Sequence, residues 1–165
     1  MLEIGEASPK DFPKLKKIAV REIGNIDLGT DGNDKFPELF ARLRSFLESS
    51  GISVAAVFKA RKEKDRERGG FSGRCVLVNT IEKGQERNWN KLVRDKIPQI
   101  IEENGGTANY FIEEDDAEFL LRLQDKIREE IEELRETKSF KDFVDELADL
   151  WEVLELEEEQ RRSVC

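Results

Sequence analysis

Two pairs of carboxylates in this chain have a spacing that could hold a metal ion. Glu130 and Glu133 lie three residues apart, and Glu146 and Asp149 repeat that spacing further along the chain. On a helix, an i, i+3 spacing places both members of a pair on one face, one turn apart. Two such pairs facing each other would offer the oxygen ligands that a hard divalent cation such as Mg²⁺ prefers. Acidic residues number 37 of 165, however, so the spacing alone does not identify a site.

Helix geometry separates these four carboxylates from the other acidic residues. In a helix over about 142–157, Glu146 falls inside the edge of the apolar stripe and Asp149 borders the same edge. A helix over about 117–136 carries the first pair of carboxylates on the corresponding flank of its own stripe. Carboxylates at the edge of a core are costly unless they are paired or bind a metal. The positions of the two pairs therefore favour a metal site.

The link between the two predicted helices is short, at residues 137–141. A short link predicts antiparallel packing, which brings all four carboxylates to one side of the helix pair at matching heights. We therefore predict that Glu130, Glu133, Glu146 and Asp149 bind Mg²⁺, or alternatively Mn²⁺. The remaining acidic residues of the first helix, Glu129, Glu132 and Glu136, are expected to face solvent.

Composition restricts the possible functions. The net charge of −9 argues against a nucleic-acid polymer as partner, although a nucleotide held through a metal is compatible with it. The absence of histidine excludes histidine-based acid–base catalysis and metal ligation. The two cysteines are too few for a disulfide framework. No long apolar segment or leader-like segment is evident, so we expect a cytoplasmic protein that does not cross a membrane.

The rest of the chain predicts a mainly α fold. Residues 1–35 form an N-terminal extension of unclear role. Asp95 is placed to cap a helix, and the polar stretch 84–88 is expected to be a link. We predict an antiparallel helical bundle with a small two-stranded β element. The further helices are expected at 11–23, 37–50, 53–66 and 95–104, and the two strands at 75–80 and 108–112.

The segment before the acidic helices resembles a known family signature. It reads Asn90-Lys91-Leu92-Val93-Arg94-Asp95-Lys96-Ile97-Pro98, followed by Ile100 and Ile101. This is similar to the opening of MazG-like, all-alpha house-cleaning NTP pyrophosphatases, which are also described as phosphoribosyl-ATP pyrophosphohydrolase-like. The pattern Glu129-Glu130-x-x-Glu133 with Glu146-x-x-Asp149 resembles the metal motif of the same family. The resemblance extends over residues 90–154 and implies a helical bundle of the all-alpha NTP pyrophosphatase type.

The order of the segments differs from that of the family. There, the metal helices are followed by a Gly-Ile-Ser helix start, a basic helix and Arg-Gly-Gly-Phe. Here, Gly51-Ile52-Ser53 and Arg68-Gly69-Gly70-Phe71 lie upstream. Residues 36–85 thus resemble the C-terminal part of the domain and residues 87–165 its N-terminal part, together one circularly permuted domain. Alternatively, the two segments belong to incomplete copies that are completed by exchange between chains.

The resemblance implies hydrolysis of a nucleoside triphosphate to a monophosphate and pyrophosphate, possible house-cleaning of non-canonical nucleotides, and a homo-oligomer. Glu133 is the candidate to accept the proton of the attacking water. Lys91, Arg94 and Lys96, at an expected helix start, and Lys64 and Arg68 are the candidates to bind the phosphates. The alternative is a non-catalytic acidic helical interaction module that keeps the fold.

Overall fold

The computed structural model describes residues 7–26, 28 and 35–164. These residues form a mainly helical structure with one small antiparallel sheet, so the predicted mainly α class is confirmed. A 3₁₀ turn at Pro9–Asp11 precedes the first helix, and a π-helical turn at Val20–Gly24 follows it. The α-helices are α1 (Phe12–Ala19), α2 (Lys35–Ser50), α3 (Val54–Arg68), α4 (Ile97–Glu103), α5 (Asp116–Glu136) and α6 (Phe140–Val164). The strands are β1 (Cys75–Glu82), β2 (Gln85–Leu92) and β3 (Thr107–Ile112).

The chain divides into two compact units, and each combines residues from both halves of the sequence. The first unit comprises Met1–Arg61 and Ile127–Glu159, and the second comprises Lys62–Lys126 and Gln160–Cys165. Residues 36–85 and residues 87–165, which the sequence predicts to form one domain together, each contribute to both units.

The first unit is helical, and its core is built around α6. Phe143 of α6 is fully buried, with Phe12 of α1 and Phe46 of α2 packed edge-on at ring-centroid distances of 5.7 and 6.1 Å. Lys16 of α1 donates a hydrogen bond of 2.6 Å to the carbonyl of Thr137, in the link between α5 and α6. The described part of the predicted N-terminal extension is thus packed into this unit. Residues 1–6, 27 and 29–34 of the predicted extension lie outside the described residues.

The second unit is organised around the sheet, whose strand order is β2-β1-β3. Both neighbours pair antiparallel with β1, and α4 packs against β3. One cluster of buried side chains includes Cys75, Leu77, Val93 and Ala108, with Trp89, Ile97 and Ile101 packed against it. The strands predicted at 75–80 and 108–112 are present, but the prediction of a two-stranded element was wrong because β2 is a third strand.

Strand β2 occupies the stretch that the sequence assigned to a polar link and to the start of the family signature. The hairpin turn is Lys83-Gly84, where both residues have positive φ angles of 52° and 78°. Such angles match the two-residue turns that suit the twist of a hairpin, and glycine adopts them without steric cost. On β1, a bulge between Leu77 and Asn79 interrupts the pairing with β2. Asn90 lies on β2 at this irregularity and has a φ of 48°.

Within the described ranges, every helix is too short or too polar to cross a membrane.

Candidate metal centre

Helices α5 and α6 form the hairpin that positions the carboxylates. Only residues 137–139 separate them, and both ends of this link are capped. The hydroxyl of Thr137 donates a hydrogen bond of 2.8 Å to the carbonyl of Leu134 at the end of α5. The hydroxyl of Ser139 accepts a hydrogen bond of 3.1 Å from the backbone N–H of Asp142 in the first turn of α6. The apolar stripes of both helices are buried, including Leu123, Ile127, Leu134, Leu147 and Leu150.

Three of the four predicted carboxylates meet across this hairpin. Glu130, Glu146 and Asp149 each offer an oxygen, and these oxygens all lie within 4.8 Å of one another. Glu130 and Asp149 are buried, with exposed fractions of 3% and 6%. Glu133 belongs to a second, overlapping group of the same size, formed with Glu129 and Glu130. Glu130 is shared by the two groups, so the five carboxylates form one continuous cluster.

The chemistry of the cluster is dominated by Glu146. Burial raises the pKa of Glu146 from its ordinary value of 4.5 to about 10, with further contributions from a hydrogen bond with Glu130 and from the charges of Glu130, Asp149 and Glu133. In the absence of a cation, the cluster therefore holds a proton at neutral pH. A cation would take the place of this proton, because metal ligands must be deprotonated.

A hard divalent cation fits this donor set. The Oε2 atom of Glu146 is buried and makes no hydrogen bond within the described structure, which is a costly situation that a cation would relieve. The donors are carboxylate oxygens, which suit Mg²⁺ or Mn²⁺ rather than metals that prefer sulfur or imidazole ligands. Glu130, Glu146 and Asp149 would hold the ion, with Glu133 beside them.

The predicted phosphate-binding residues belong to the second unit, and the structure gives several of them other contacts. Lys91 lies on β2, not at a helix start, with its ammonium group 4.9 Å from the ring centroid of Trp89. Lys96 is exposed immediately before α4 and donates a hydrogen bond of 3.0 Å to the carbonyl of Arg66. Lys64 is half-buried on α3, and Arg68 is its exposed last residue.

Arg94 is a buried residue that holds the end of α3 and the glycine loop after it. Its guanidinium group donates hydrogen bonds of 2.7 Å to the carboxylate of Asp65 and 2.9 Å to the carbonyl of Gly69. It also lies over the ring of Phe71, 5.0 Å from the centroid. With an exposed fraction of 7%, Arg94 contributes to the packing of the loop and offers little surface to a ligand.

Asp95 and the backbone of the same segment complete the attachment. The predicted helix cap at Asp95 was wrong, because its carboxylate accepts hydrogen bonds of 2.9 Å from both the Ser72 hydroxyl and the Gly73 N–H. Gly69 has a φ of 79°, and a Cβ there would lie 3.0 Å from the backbone nitrogen of Lys96. This close approach explains why a glycine occurs at that position.

The sequence missed two features of the first unit. Glu129, assigned to a solvated face, lies within the second carboxylate group. Arg61 of α3 forms ion pairs with Glu152 at 3.8 Å and with Glu155 at 2.8 Å, both on α6. The spacing of Glu152 and Glu155 gave no signal, because Glu-x-x-Glu pairs recur along α6 in this acidic chain. Nothing in the strongly basic sequence of α3 singled out Arg61.

Comparisons of the chain with protein-family profiles, with curated proteins and with solved structures find no match.

Proposed function

We propose that this protein is a Mg²⁺-dependent nucleoside triphosphate pyrophosphohydrolase. The observation that carries the proposal is the convergence of Glu130, Glu146 and Asp149 on one point across the α5–α6 hairpin. The raised pKa of Glu146, about 10, adds that the cluster is poised to exchange a proton for a cation. The resemblance of residues 90–154 to MazG-like pyrophosphatases then supplies the reaction class.

In this reaction, water adds to the α-phosphorus, the bond between that phosphorus and the bridging oxygen of the β-phosphate breaks, and pyrophosphate leaves. When bound, Mg²⁺ neutralises part of the phosphate charge and lowers the pKa of a bound water molecule. Glu130, Glu146 and Asp149 would hold the ion. Glu133, a half-buried member of the cluster, accepts the proton of the attacking water.

The wider assignment is also a proposal. We infer that the helical unit is an all-alpha NTP pyrophosphatase bundle with circularly permuted segment order. The packing of residues 7–61 with residues 127–159 supports this, because one chain brings both segments into a single unit. We further propose a homo-oligomeric cytoplasmic enzyme acting in the removal of non-canonical nucleotides.

Pyrophosphate release from a panel of common and modified nucleoside triphosphates, and from phosphoribosyl-ATP, tests the activity. With Mg²⁺, the wild type is expected to release pyrophosphate from at least one substrate. Glu130→Gln and Glu146→Gln should reduce kcat by at least about 100-fold, as the loss of an electrostatic stabiliser does in other enzymes. Glu136→Gln, an exposed change on α5 outside both carboxylate groups, is the matched control.

The alternative of a non-catalytic module makes a different prediction. A wild type that releases pyrophosphate from no substrate with Mg²⁺ or Mn²⁺ would contradict the enzyme assignment. Melting curves in Mg²⁺ and in EDTA then show whether the cluster binds metal at all, since a ligand that binds the folded state raises the melting temperature by mass action.

A further inference from the structure

Strand β3 is an edge of the sheet that carries large apolar side chains in exposed positions. Tyr110, Phe111 and Ile112 are 51%, 41% and 50% exposed. On one side β3 pairs with β1, and among the described residues no strand pairs with its other side. An exposed apolar edge of this kind is a place at which a further strand can pair.

The two edges of the sheet differ in their protection against such pairing. Strand β2, the other edge, carries Glu86 and Arg87, and charged side chains on an edge strand oppose the addition of another strand. Residues 104–112, which include the whole of β3, contain no charged residue and no proline. The next residue, Glu113, is already paired with Arg122 at 3.0 Å. The β3 edge is therefore open to a strand that is itself uncharged.

The hydrogen bonds of β3 show which of its backbone groups point outward. The N–H of Glu113 donates to the carbonyl of Arg74 at 2.9 Å, so the backbone groups of Glu113 point toward the β1 side. The direction of these groups alternates along an antiparallel strand. The N–H and C=O groups of Ala108, Tyr110 and Ile112 therefore point away from β1. Since these residues lie two apart, their side chains also share one face of the sheet.

We propose that a second copy of this chain pairs with β3, antiparallel about a two-fold axis at Tyr110. With Tyr110 opposite its own copy, Ala108 lies opposite Ile112 of the second copy. The three outward-pointing residues of each chain then exchange about six hydrogen bonds, and the two sheets become one continuous sheet. The inference rests on the homo-oligomeric part of the proposed function and is independent of the reaction.

Side chains and charges on β3 favour a second copy in this orientation. Tyr110 meets its own copy in an aromatic pair, and Ile112 meets Ala108, so the apolar face continues from one copy to the other. Glu113 lies opposite the uncharged Thr107, whereas an in-register parallel pair would place Glu113 beside its own copy. A strand that matches itself in this way suits a two-fold dimer. Because each copy buries little more than one strand, we expect a weak dimer that depends on protein concentration.

Sedimentation equilibrium over a range of concentrations tests the pairing. We expect the wild type to shift from the mass of one chain to that of two. Tyr110→Lys and Tyr110→Glu each place like charges opposite one another and should raise the dissociation constant at least about 10-fold, with unchanged helix content by circular dichroism. An equimolar mixture of the two variants should recover the dimer, because opposite charges then meet. The control is Leu121→Lys, which changes a residue of the same unit that is 53% exposed on α5 and should leave the dissociation constant unchanged.

Disulfide formation tests the position of the two-fold axis. Opposite residues in a hydrogen-bonded antiparallel pair have Cα atoms about 5.5 Å apart, which a disulfide can bridge. Under mild oxidation, Tyr110→Cys should therefore form a covalent dimer. Ile112→Cys, at an equally exposed position, should not, because its two copies would lie about 14 Å apart. Both variants also carry Cys165→Ser, and Cys75 is buried. Faster cross-linking of Ile112→Cys than of Tyr110→Cys would overturn the axis at Tyr110.

The outcomes separate the pairing from the reaction. A wild type that stays monomeric, or a dimer that persists unchanged in both Tyr110 charge variants, overturns the inference. Species larger than a dimer also overturn it, since they indicate that β3 pairs with β2 of the next copy in an open chain. Equal weakening by Leu121→Lys would show that association is not specific to β3. Pyrophosphate release is assayed independently: hydrolysis by a monomeric wild type supports the reaction without the pairing, and a β3-dependent dimer without hydrolysis supports the pairing alone.

Discussion

At the scale of single residues, Glu146 determines the charge state of the carboxylate cluster. A carboxylate oxygen of Glu146 lies within 4.8 Å of one from Glu130 and one from Asp149. Burial, followed by these two neighbours, raises the pKa of Glu146, so the three groups cannot all be ionised at low cost without a cation. A cluster of this kind is a source of instability in the absence of metal. Its position at the edge of a packed helix pair is consistent with a functional role, because carboxylates without a ligand are more stable facing solvent.

The pH dependence of the free energy of unfolding reports whether Glu146 is protonated in the folded protein. Between the ordinary pKa of 4.5 and the folded-state value of about 10, the folded protein binds a proton that the unfolded chain has released. Stability in EDTA should therefore fall as pH rises through this window. Glu146→Gln keeps a neutral side chain and should lessen this fall. Urea unfolding at pH 6 and pH 9 measures the difference.

The control for this experiment is Glu136→Gln, because Glu136 is an exposed acidic residue on α5 that belongs to neither carboxylate group. It should show the same decline with pH as the wild type. Equal pH dependence of the wild type and Glu146→Gln would show that Glu146 is already ionised in the folded protein.

At the scale of elements, the segment of Arg94, Asp95 and Lys96 fastens the glycine loop to the end of α3. Besides the side-chain contacts, the backbone N–H of Asp95 donates to the Gly70 carbonyl at 2.7 Å, and that of Lys96 to the Arg68 carbonyl at 3.0 Å. These contacts give the charged residues of this segment a structural explanation within the second unit.

Replacement of Arg94 separates these two roles. Arg94→Gln removes a charged hydrogen bond to Asp65 and one to the Gly69 carbonyl, and should destabilise the protein by about 2–3 kcal/mol. The Mg²⁺-induced increment in melting temperature should be unchanged, because the carboxylate cluster belongs to the other unit. Urea unfolding and melting curves measure both quantities. Lys62→Gln, an exposed change on α3, serves as the control. Unaltered stability with weaker nucleotide binding would instead support phosphate binding by Arg94.

The elements also show where sequence reasoning succeeds. The spacing of apolar residues predicts helices α5 and α6. It also predicts that Glu130 and Glu146 lie at the edge of the buried apolar stripes, and the structure places them beside buried residues. Strand β2 could not be found in the same way. It is an edge strand whose residues are mostly exposed, so its sequence has no apolar alternation.

The site was likewise only partly predictable. The spacing of Glu130, Glu146 and Asp149 indicated their convergence, because two helices and a short link leave few arrangements. The contacts of Arg61 depend on how α3 packs against α6, and the sequence of α3 has basic residues on several faces. Long-range packing of this kind is not encoded in local periodicity.

At the scale of the whole molecule, the two units share three helices. Helices α3, α5 and α6 each have residues in both units, since the boundaries fall after Arg61, Lys126 and Glu159. A helix is cooperative along its length, so the loss of one half removes the support for the other. This continuity predicts a single unfolding transition for the molecule.

The two tryptophans test this coupling, because Trp151 lies in the first unit and Trp89 in the second. Trp89→Phe leaves a fluorescence signal from α6, and Trp151→Phe leaves one from β2. Within each single-tryptophan variant, the fluorescence midpoint in urea should coincide with the midpoint from far-ultraviolet circular dichroism. Mg²⁺ should raise the free energy of unfolding by a similar amount in both variants, although the carboxylates lie in one unit only. If Mg²⁺ shifts the urea midpoint of the Trp151 fluorescence but not that of the Trp89 fluorescence, the two units unfold independently. The helices that cross the boundary would then break at the boundary.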